Sequence, residues 1–176
     1  MKKAVFLDRD GVINEVKTER VTFVNTSDQF YFLQGVLEAI KLLTDSNFLI
    51  FVVTNQGGVG LGYLSHEQLD SIHDYMVKEI EKAGGFIQEV SCCTHKPHEG
   101  CECRKPEAGM ILDLAKKYDL DTARSYMVGD RDVDIEAGRK AGCTTILLAD
   151  GPSPLYNADY MFTNLMEAAE LIVTNK

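Results

Sequence analysis

The chain has 176 residues, of which 45% are hydrophobic and 26% charged, the profile of one globular domain spanning residues 1–176. Its net charge of −9 argues against a nucleic-acid partner, although a local cation cluster or a bound metal would still admit a small anion. No apolar run approaches the roughly 18 residues of a membrane span, and the stretch Ala4–Leu7 ends at Asp8, too short for a signal-peptide core, so the expectation is a cytoplasmic chain without a membrane partner.

Short apolar runs alternate with helical patterns, the sequence form of an α/β fold with a largely parallel sheet. A first strand is expected over residues 4–7, followed by a long loop over 9–34. A helix is expected over 35–46, where Val36, Leu37, Ile40, Leu42 and Leu43 recur at helical spacing. Residues 48–53 read as a buried strand and 54–62 as a glycine-rich loop. Ser65 opens a helix, with Gln68 completing a capping box and Leu69, Ile72, Met76 and Ile80 on its apolar face; Gly84-Gly85 ends it. A third strand is expected over 86–91, then an irregular cysteine segment over 92–105. Pro106 is expected to open a helix carrying Met110, Ile111, Leu114 and Ala115. Strands over 125–128 and 144–148 flank a helix that starts at 132 or 133 and ends at 141. An edge strand over 159–162 and a helix over 165–173 close the pattern.

The chemistry lies where these strands end, the edge at which parallel α/β sheets bind ligands. The first strand runs into Asp8-Arg9-Asp10-Gly11. Of two carboxylates so placed, one suits attack on an electrophile and the other proton transfer, and both suit a hard cation such as Mg²⁺. The second strand runs into Thr54-Asn55-Gln56-Gly57-Gly58, where a hydroxyl and successive backbone N–H groups make a phosphate cradle. Lys105 precedes a helix start, a place from which an ammonium reaches a phosphate or a nucleophilic carboxylate. Asp130 falls directly at a strand end, and Asp134 brings a second carboxylate to the same edge. Asp132 and Asp134 also suit a helix N-terminus simply by complementing its dipole.

Five cysteines, an odd number, argue against a disulfide framework. Cys93-Thr94-His95 and Cys101-Glu102-Cys103 together supply three thiolates and one imidazole, a complete tetrahedral set for Zn²⁺ that leaves no position for substrate water, and so a structural site. Cys92 competes with Cys93; the Cys-x-His spacing favours Cys93. His66 and His73 are expected as surface groups on their helix, His98 as an exposed loop residue, and Cys143 as a core residue.

Asp, Thr, Lys and Asp arriving in order at four strand ends resembles the haloacid dehalogenase superfamily of phosphatases, over residues 4–149. The resemblance implies a Rossmann-like three-layer sandwich without a large cap domain. It implies that Asp8 is the nucleophile that becomes an aspartyl-phosphate and that Asp10 protonates the leaving alcohol and then activates water. Thr54 and Lys105 would hold the phosphoryl group, Asn55 and Arg104 would join in binding substrate, and Mg²⁺ would sit on Asp8, the Asp10 backbone carbonyl and Asp130. The cysteine loop ending in Cys103-Arg104-Lys105-Pro106 is similar to two sister groups, the heptose 1,7-bisphosphate phosphatases and the histidinol-phosphate phosphatases. Asn14, Val24-Asn25 and Gly35-Val36 look more like the heptose group. The five-residue span between His95 and Cys101 looks more like the histidinol group, and Thr94 stands where both commonly have proline. The expectation is a monomeric, Mg²⁺-dependent phosphatase of a small sugar bisphosphate, with histidinol phosphate as the rival substrate. A catalytically silent zinc-bearing module is the rival of another class; intact Asp8, Asp10, Thr54, Lys105 and Asp130 speak against it.

Overall fold

The computed structural model describes residues 1–151 and 157–175. Six strands form one sheet: β1 (Ala4–Leu7), β2 (Leu49–Asn55), β3 (Glu89–Cys93), β4 (Tyr126–Gly129), β5 (Thr144–Leu148) and β6 (Tyr160–Phe162). Their spatial order is β3-β2-β1-β4-β5-β6, and every pairing is parallel. The α-helices are α1 (Val36–Asp45), α2 (His66–Lys82), α3 (Gly109–Tyr118), α4 (Asp132–Lys140) and α5 (Leu165–Thr174). No helix among the described residues is long and apolar enough to cross a membrane.

The alternation of side chains along β1 explains the three layers. Val5 and Leu7 point into a core built with Ile40 and Leu43 of α1, Ile72 and Met76 of α2, and Ala168 and Ile172 of α5. Ala4 and Phe6 point to the other face, where Ile111 and Leu114 of α3 and Ala137 of α4 pack. All four β1 residues are buried, as a strand covered on both faces requires. The chain builds outward from β1 through β2 to β3, then returns to the other side of β1 for β4 to β6. That reversal makes β1 the switch point of the sheet, and Asp8 is the first residue beyond its carboxyl end.

The capping box at α2 forms as its residues predict. Gln68 N donates to Ser65 Oγ at 3.1 Å, and Ser65 N donates to Gln68 Oε1 at 2.7 Å. Three expected boundaries move. β2 runs on through Thr54 and Asn55, which were expected in the glycine-rich loop. β3 begins at Glu89, leaving Phe86 half-exposed, and runs on through Cys92 and Cys93, so the cysteine segment starts inside a strand. The ladder with β2 causes this: Thr54 pairs with Cys92 and Asn55 with Cys93. α3 starts at Gly109 instead of Pro106. Residues 104–107 form a turn, with Glu107 N donating to Arg104 O at 2.9 Å, and Gly109 N returns to Glu102 O at 3.1 Å. Those bonds fold the chain back on itself before the helix begins.

Candidate active site

Four loops meet at the carboxyl edge of the sheet, and their centre is a buried lysine. Lys105 Nζ donates to Asp8 Oδ1 at 2.7 Å, to Asp134 Oδ1 at 2.6 Å and to the Val53 carbonyl at 2.8 Å. An ammonium has three protons, so its donors are all used. Burial opposes its charge, but the two carboxylates outweigh that and hold the Lys105 pKa above the ordinary lysine value. Its backbone is clamped as well: Asn55 Nδ2 donates to Lys105 O and Lys105 N donates to Asn55 Oδ1, both at 2.9 Å. Asn55, expected among the substrate-binding groups, thus places its amide on the backbone of the lysine.

Asp134 is bound on both oxygens. Oδ1 takes Lys105, and Oδ2 accepts from Asp130 N at 3.2 Å and Arg131 N at 3.1 Å. It is an anchor for Lys105 and for the turn carrying Asp130. Asp8, Asp130 and Asp134 converge, with one oxygen of each within 4.8 Å of the others. Gly11 makes room for this: it sits at φ +84°, and a Cβ there would lie 2.0 Å from Asp130 Oδ2.

Three carboxylates against one ammonium leave the cluster two charges short of neutral. Burial, followed by the neighbouring Asp134 and Asp130 charges, raises the Asp8 pKa well above its ordinary value despite Lys105. Burial and the Asp134 charge push Asp130 up to about 6. Asp130 Oδ1 is buried without a hydrogen-bond partner. An orphaned carboxylate oxygen beside an under-neutralised carboxylate is the donor set of a hard divalent cation, so these residues fit Mg²⁺.

Asp10 has a separate set of partners. Its Oδ1 accepts from Arg9 Nη2 at 2.8 Å, Arg9 Nε at 3.2 Å and Asn14 Nδ2 at 2.9 Å; its Oδ2 accepts from Gln56 Nε2 at 3.1 Å. Burial pushes the carboxyl up, but the Arg9 charge and these bonds bring it below the ordinary range. Gln56 Nε2 also donates to Thr54 Oγ1 at 2.9 Å, which leaves the threonine hydroxyl proton to donate elsewhere. Arg104 stands at the rim, its Nη1 donating to the His95 carbonyl at 3.3 Å.

The second cluster brings Cys93, His95, Cys101 and Cys103 together, with one ligand atom of each within 4.8 Å of the others. Sγ of Cys93 is 2.9 Å from Cys103 and 3.6 Å from Cys101, and His95 Nδ1 is 3.2 Å from Cys103 Sγ. The Cys93–Cys101 spacing and the 3.5 Å between Cys101 and Cys103 approach the roughly 3.8 Å edge of a tetrahedron around an ion about 2.3 Å from each sulfur, whereas Cys93 and Cys103 lie closer together than that edge. The thiols are free, and burial with the neighbouring thiols pushes Cys103 up to about 12. Thiols packed this tightly ionise together only around a cation, and the donor set fits Zn²⁺. Cys92 faces away into the core shared with α2, since neighbouring residues of a strand point to opposite faces.

The cluster is fastened to the loop after β2. Gln56 N donates to Cys93 O at 2.7 Å and Gly60 N to Thr94 O at 3.0 Å. Gly60 is required there, because a Cβ would lie 2.7 Å from Thr94 O.

The family model described as HAD-hydrolase-like matches residues 102–168. D-glycero-beta-D-manno-heptose-1,7-bisphosphate 7-phosphatase of Bordetella bronchiseptica is 38% identical over 149 residues, covering 85% of this chain and 82% of that protein. The chain belongs to the haloacid dehalogenase family. It is a phosphoric monoester hydrolase, as its relatives are. D-glycero-alpha-D-manno-heptose-1,7-bisphosphate 7-phosphatase of Campylobacter jejuni is also 38% identical, over 94% of this chain and 92% of its own. The crystal structure of the B. bronchiseptica D,D-heptose 1,7-bisphosphate phosphatase complexed with magnesium and phosphate superposes with a TM-score of 0.88 at 34% identity, covering 99% of each chain.

Several groups of this hydrolase were not foreseen. His73, expected on the surface, is buried on the inner face of α2, where its Nε2 lies 3.1 Å from Arg9 Nη1. Its position four residues after Leu69 and three before Met76 was the available signal. Gln56 and Asn14 are each hydrogen-bonded to Asp10; Gln56 gave no signal beyond lying near a strand end, and Asn14 stood out only as a residue resembling the heptose group. His66 and His98 are exposed and Cys143 is buried, as their positions suggested.

Proposed function

We propose that the enzyme removes the 7-phosphate of D-glycero-D-manno-heptose 1,7-bisphosphate through an aspartyl-phosphate on Asp8. The observation that carries the substrate is the 38% identity, over 85–94% of the chain, to relatives bearing that activity in their names. Asp8 and Asp130, with the Asp10 backbone carbonyl, would hold Mg²⁺, which supplies charge neutralisation for the transferring phosphoryl group. Cys93, His95, Cys101 and Cys103 would hold a structural Zn²⁺.

The remaining work falls to the chain's own groups. Lys105 fixes the Asp8 carboxylate through Oδ1 and adds a positive charge beside the reacting phosphorus. Because its donors are committed in the resting site, it acts by field or by exchanging one contact for a phosphate oxygen. Thr54 donates its hydroxyl proton to the phosphoryl group. An Asp8 oxygen bonds to phosphorus as the bond to the sugar oxygen breaks, and Asp10 delivers its proton to that oxygen. Asp10 is ionised at rest, and the incoming phosphate charge raises its pKa so that it takes up that proton on binding. In the second half, Asp10 receives a proton from water, the water oxygen bonds to phosphorus, and the Asp8–phosphorus bond breaks. Inorganic phosphate leaves and Asp8 is restored. Arg104, whose Nη1 donates to the His95 carbonyl, would contact the sugar or its second phosphate. Five free cysteines fit the reducing cytoplasm.

The test is phosphate release from heptose 1,7-bisphosphate, histidinol phosphate and fructose 1,6-bisphosphate. The reading expects kcat/KM for the heptose ester to exceed the others by at least about tenfold. A preference for histidinol phosphate overturns it.

A further inference from the structure

Arg9 is a large, charged side chain that is 1% exposed. Arginine stays protonated, so its N–H groups need acceptors inside the protein. Among the described residues it has two partners. Nε and Nη2 donate to Asp10, and Nη1 donates to Nε2 of His73, 64 positions along the chain on α2. The contact with Asp10 is unusual in form. An arginine beside a carboxylate commonly makes two parallel bonds, one to each oxygen. Here both donors go to the same oxygen, Oδ1, at 3.2 and 2.8 Å. Asn14 adds a third donor to Oδ1, whereas among the described residues Oδ2 accepts from Gln56 alone, at 3.1 Å. Held at its far end by His73, the guanidinium cannot rotate to spread over both oxygens.

We propose that His73 is a positioning residue for proton transfer: by holding Arg9 it loads Oδ1 of Asp10 with donors and leaves Oδ2 as the oxygen that carries the proton to the leaving group. An oxygen already accepting three N–H bonds is a poor site for a proton, and one accepting a single bond is a good one. The imidazole acts as an acceptor, which requires the neutral tautomer with its proton on Nδ1. Without that acceptor the buried Nη1 group is unpaired, and the guanidinium gains by turning toward Oδ2 or toward water. The proposal rests on the reading of Asp10 as acid and base, and it deepens that reading.

The test compares kcat/KM for an alkyl ester, the sugar phosphate, with that for p-nitrophenyl phosphate, whose activated leaving group needs little protonation. His73→Leu removes the acceptor. It is expected to lower kcat/KM for the alkyl ester by about tenfold or more, and for p-nitrophenyl phosphate by less than about threefold. His73→Gln restores an acceptor at similar reach and is expected to recover most of the loss. His73→Asn keeps a polar side chain but is one methylene shorter than Gln; it should show the same split as Leu and serves if the Leu variant does not fold. Equal losses on both substrates, no loss on either, or a Gln variant as impaired as Asn overturns the proposal. A wild-type protein inactive on every phosphate ester, or an Asp10→Asn variant with unchanged activity, overturns the underlying reading of the site instead.

Discussion

Replacing Asp134 with asparagine changes one atom and leaves no orientation of the new side chain acceptable. Its carboxylate accepts three N–H bonds: Lys105 Nζ on Oδ1, and the Asp130 and Arg131 amides on Oδ2. In Asp134→Asn, one of those oxygens becomes an NH₂ donor. If it faces the amides, two backbone donors lose their acceptor; if it faces Lys105, an ammonium that is 3% exposed meets another donor and keeps Asp8 as its one charged partner. Each unpaired buried group costs about 1–3 kcal/mol, and breaking a buried ion pair about 3–5 kcal/mol. The Asp134 charge also presses on Asp8 and Asp130, so its loss gives some of this back. A net loss of about 2–3 kcal/mol follows, which for a chain of this size lowers Tm by roughly 4–12 °C. Thermal unfolding followed by circular dichroism, at neutral pH with Mg²⁺ present and the zinc content of both proteins measured, reads this directly. Turnover should fall at least about tenfold in the same variant, because Lys105 is no longer held against Asp8. A variant with wild-type Tm and wild-type turnover refutes the reasoning that Asp134 anchors the lysine.

Asp8→Asn should lower turnover by at least about three orders of magnitude with the fold intact, measured by steady-state kinetics on purified protein. Cys101→Ser should remove zinc, detected by elemental analysis, and lower activity although no proposed Mg²⁺ ligand is touched; Cys92→Ser should leave both unchanged, since that side chain faces the opposite core. His73 gives the protein an acid-sensitive component of stability. Burial, then the Arg9 charge, lowers its pKa from 6.5 to about 4. Above pH 6.5 neither state carries the proton and the stability is fully present. As pH falls from 6.5 toward 4 the unfolded chain takes up a proton that the native one refuses. About 3 kcal/mol is lost across that window, and the loss levels off below it. Urea unfolding of wild type and His73→Gln at several pH values should show the stability difference between them shift against wild type by that amount as the pH drops from 6.5 to 4.

What was legible in the chain follows the range of the interactions involved. The β1 run Ala4–Leu7, the capping box of Ser65 and Gln68, and the four-ligand set of the cysteine loop depend on residues near one another, so spacing alone reveals them. Cys93 was separable from Cys92 because two-residue spacing to His95 is a local rule, and strand alternation then sends the two sulfurs to opposite faces. Pro106 misled, since proline suits a first helical turn. The bonds that delay α3 to Gly109 come from the folding back of residues 102–109. The pairing of Arg9 with His73 spans 64 positions, and the clamp of Asn55 on Lys105 spans 50. Nothing in the local pattern announces such partners. Only the apolar register of α2, in which His73 shares a face with Leu69 and Met76, hinted that this histidine was not a surface group.

The cysteine cluster and Lys105 are two ends of one device. Cys103 and Lys105 are separated by a single residue, so whatever fixes the sulfur fixes the lysine backbone to within a few ångströms. The second anchor is Asn55, at the end of β2, which grips the Lys105 backbone on both its N–H and C=O groups. The third is Asp134, at the start of α4, which takes the ammonium. Each anchor belongs to a different element, and all three are tied to the sheet whose central strand delivers Asp8. A loop free of such ties would place an ammonium beside a carboxylate only part of the time, and its own side-chain entropy would oppose the contact. Here the ordering is done during folding, before any phosphate arrives. That preorganisation is what a site must have if its charges are to stabilise a transition state without rearranging during the reaction. On this account a cysteine-loop substitution that touches no substrate is expected to lower turnover.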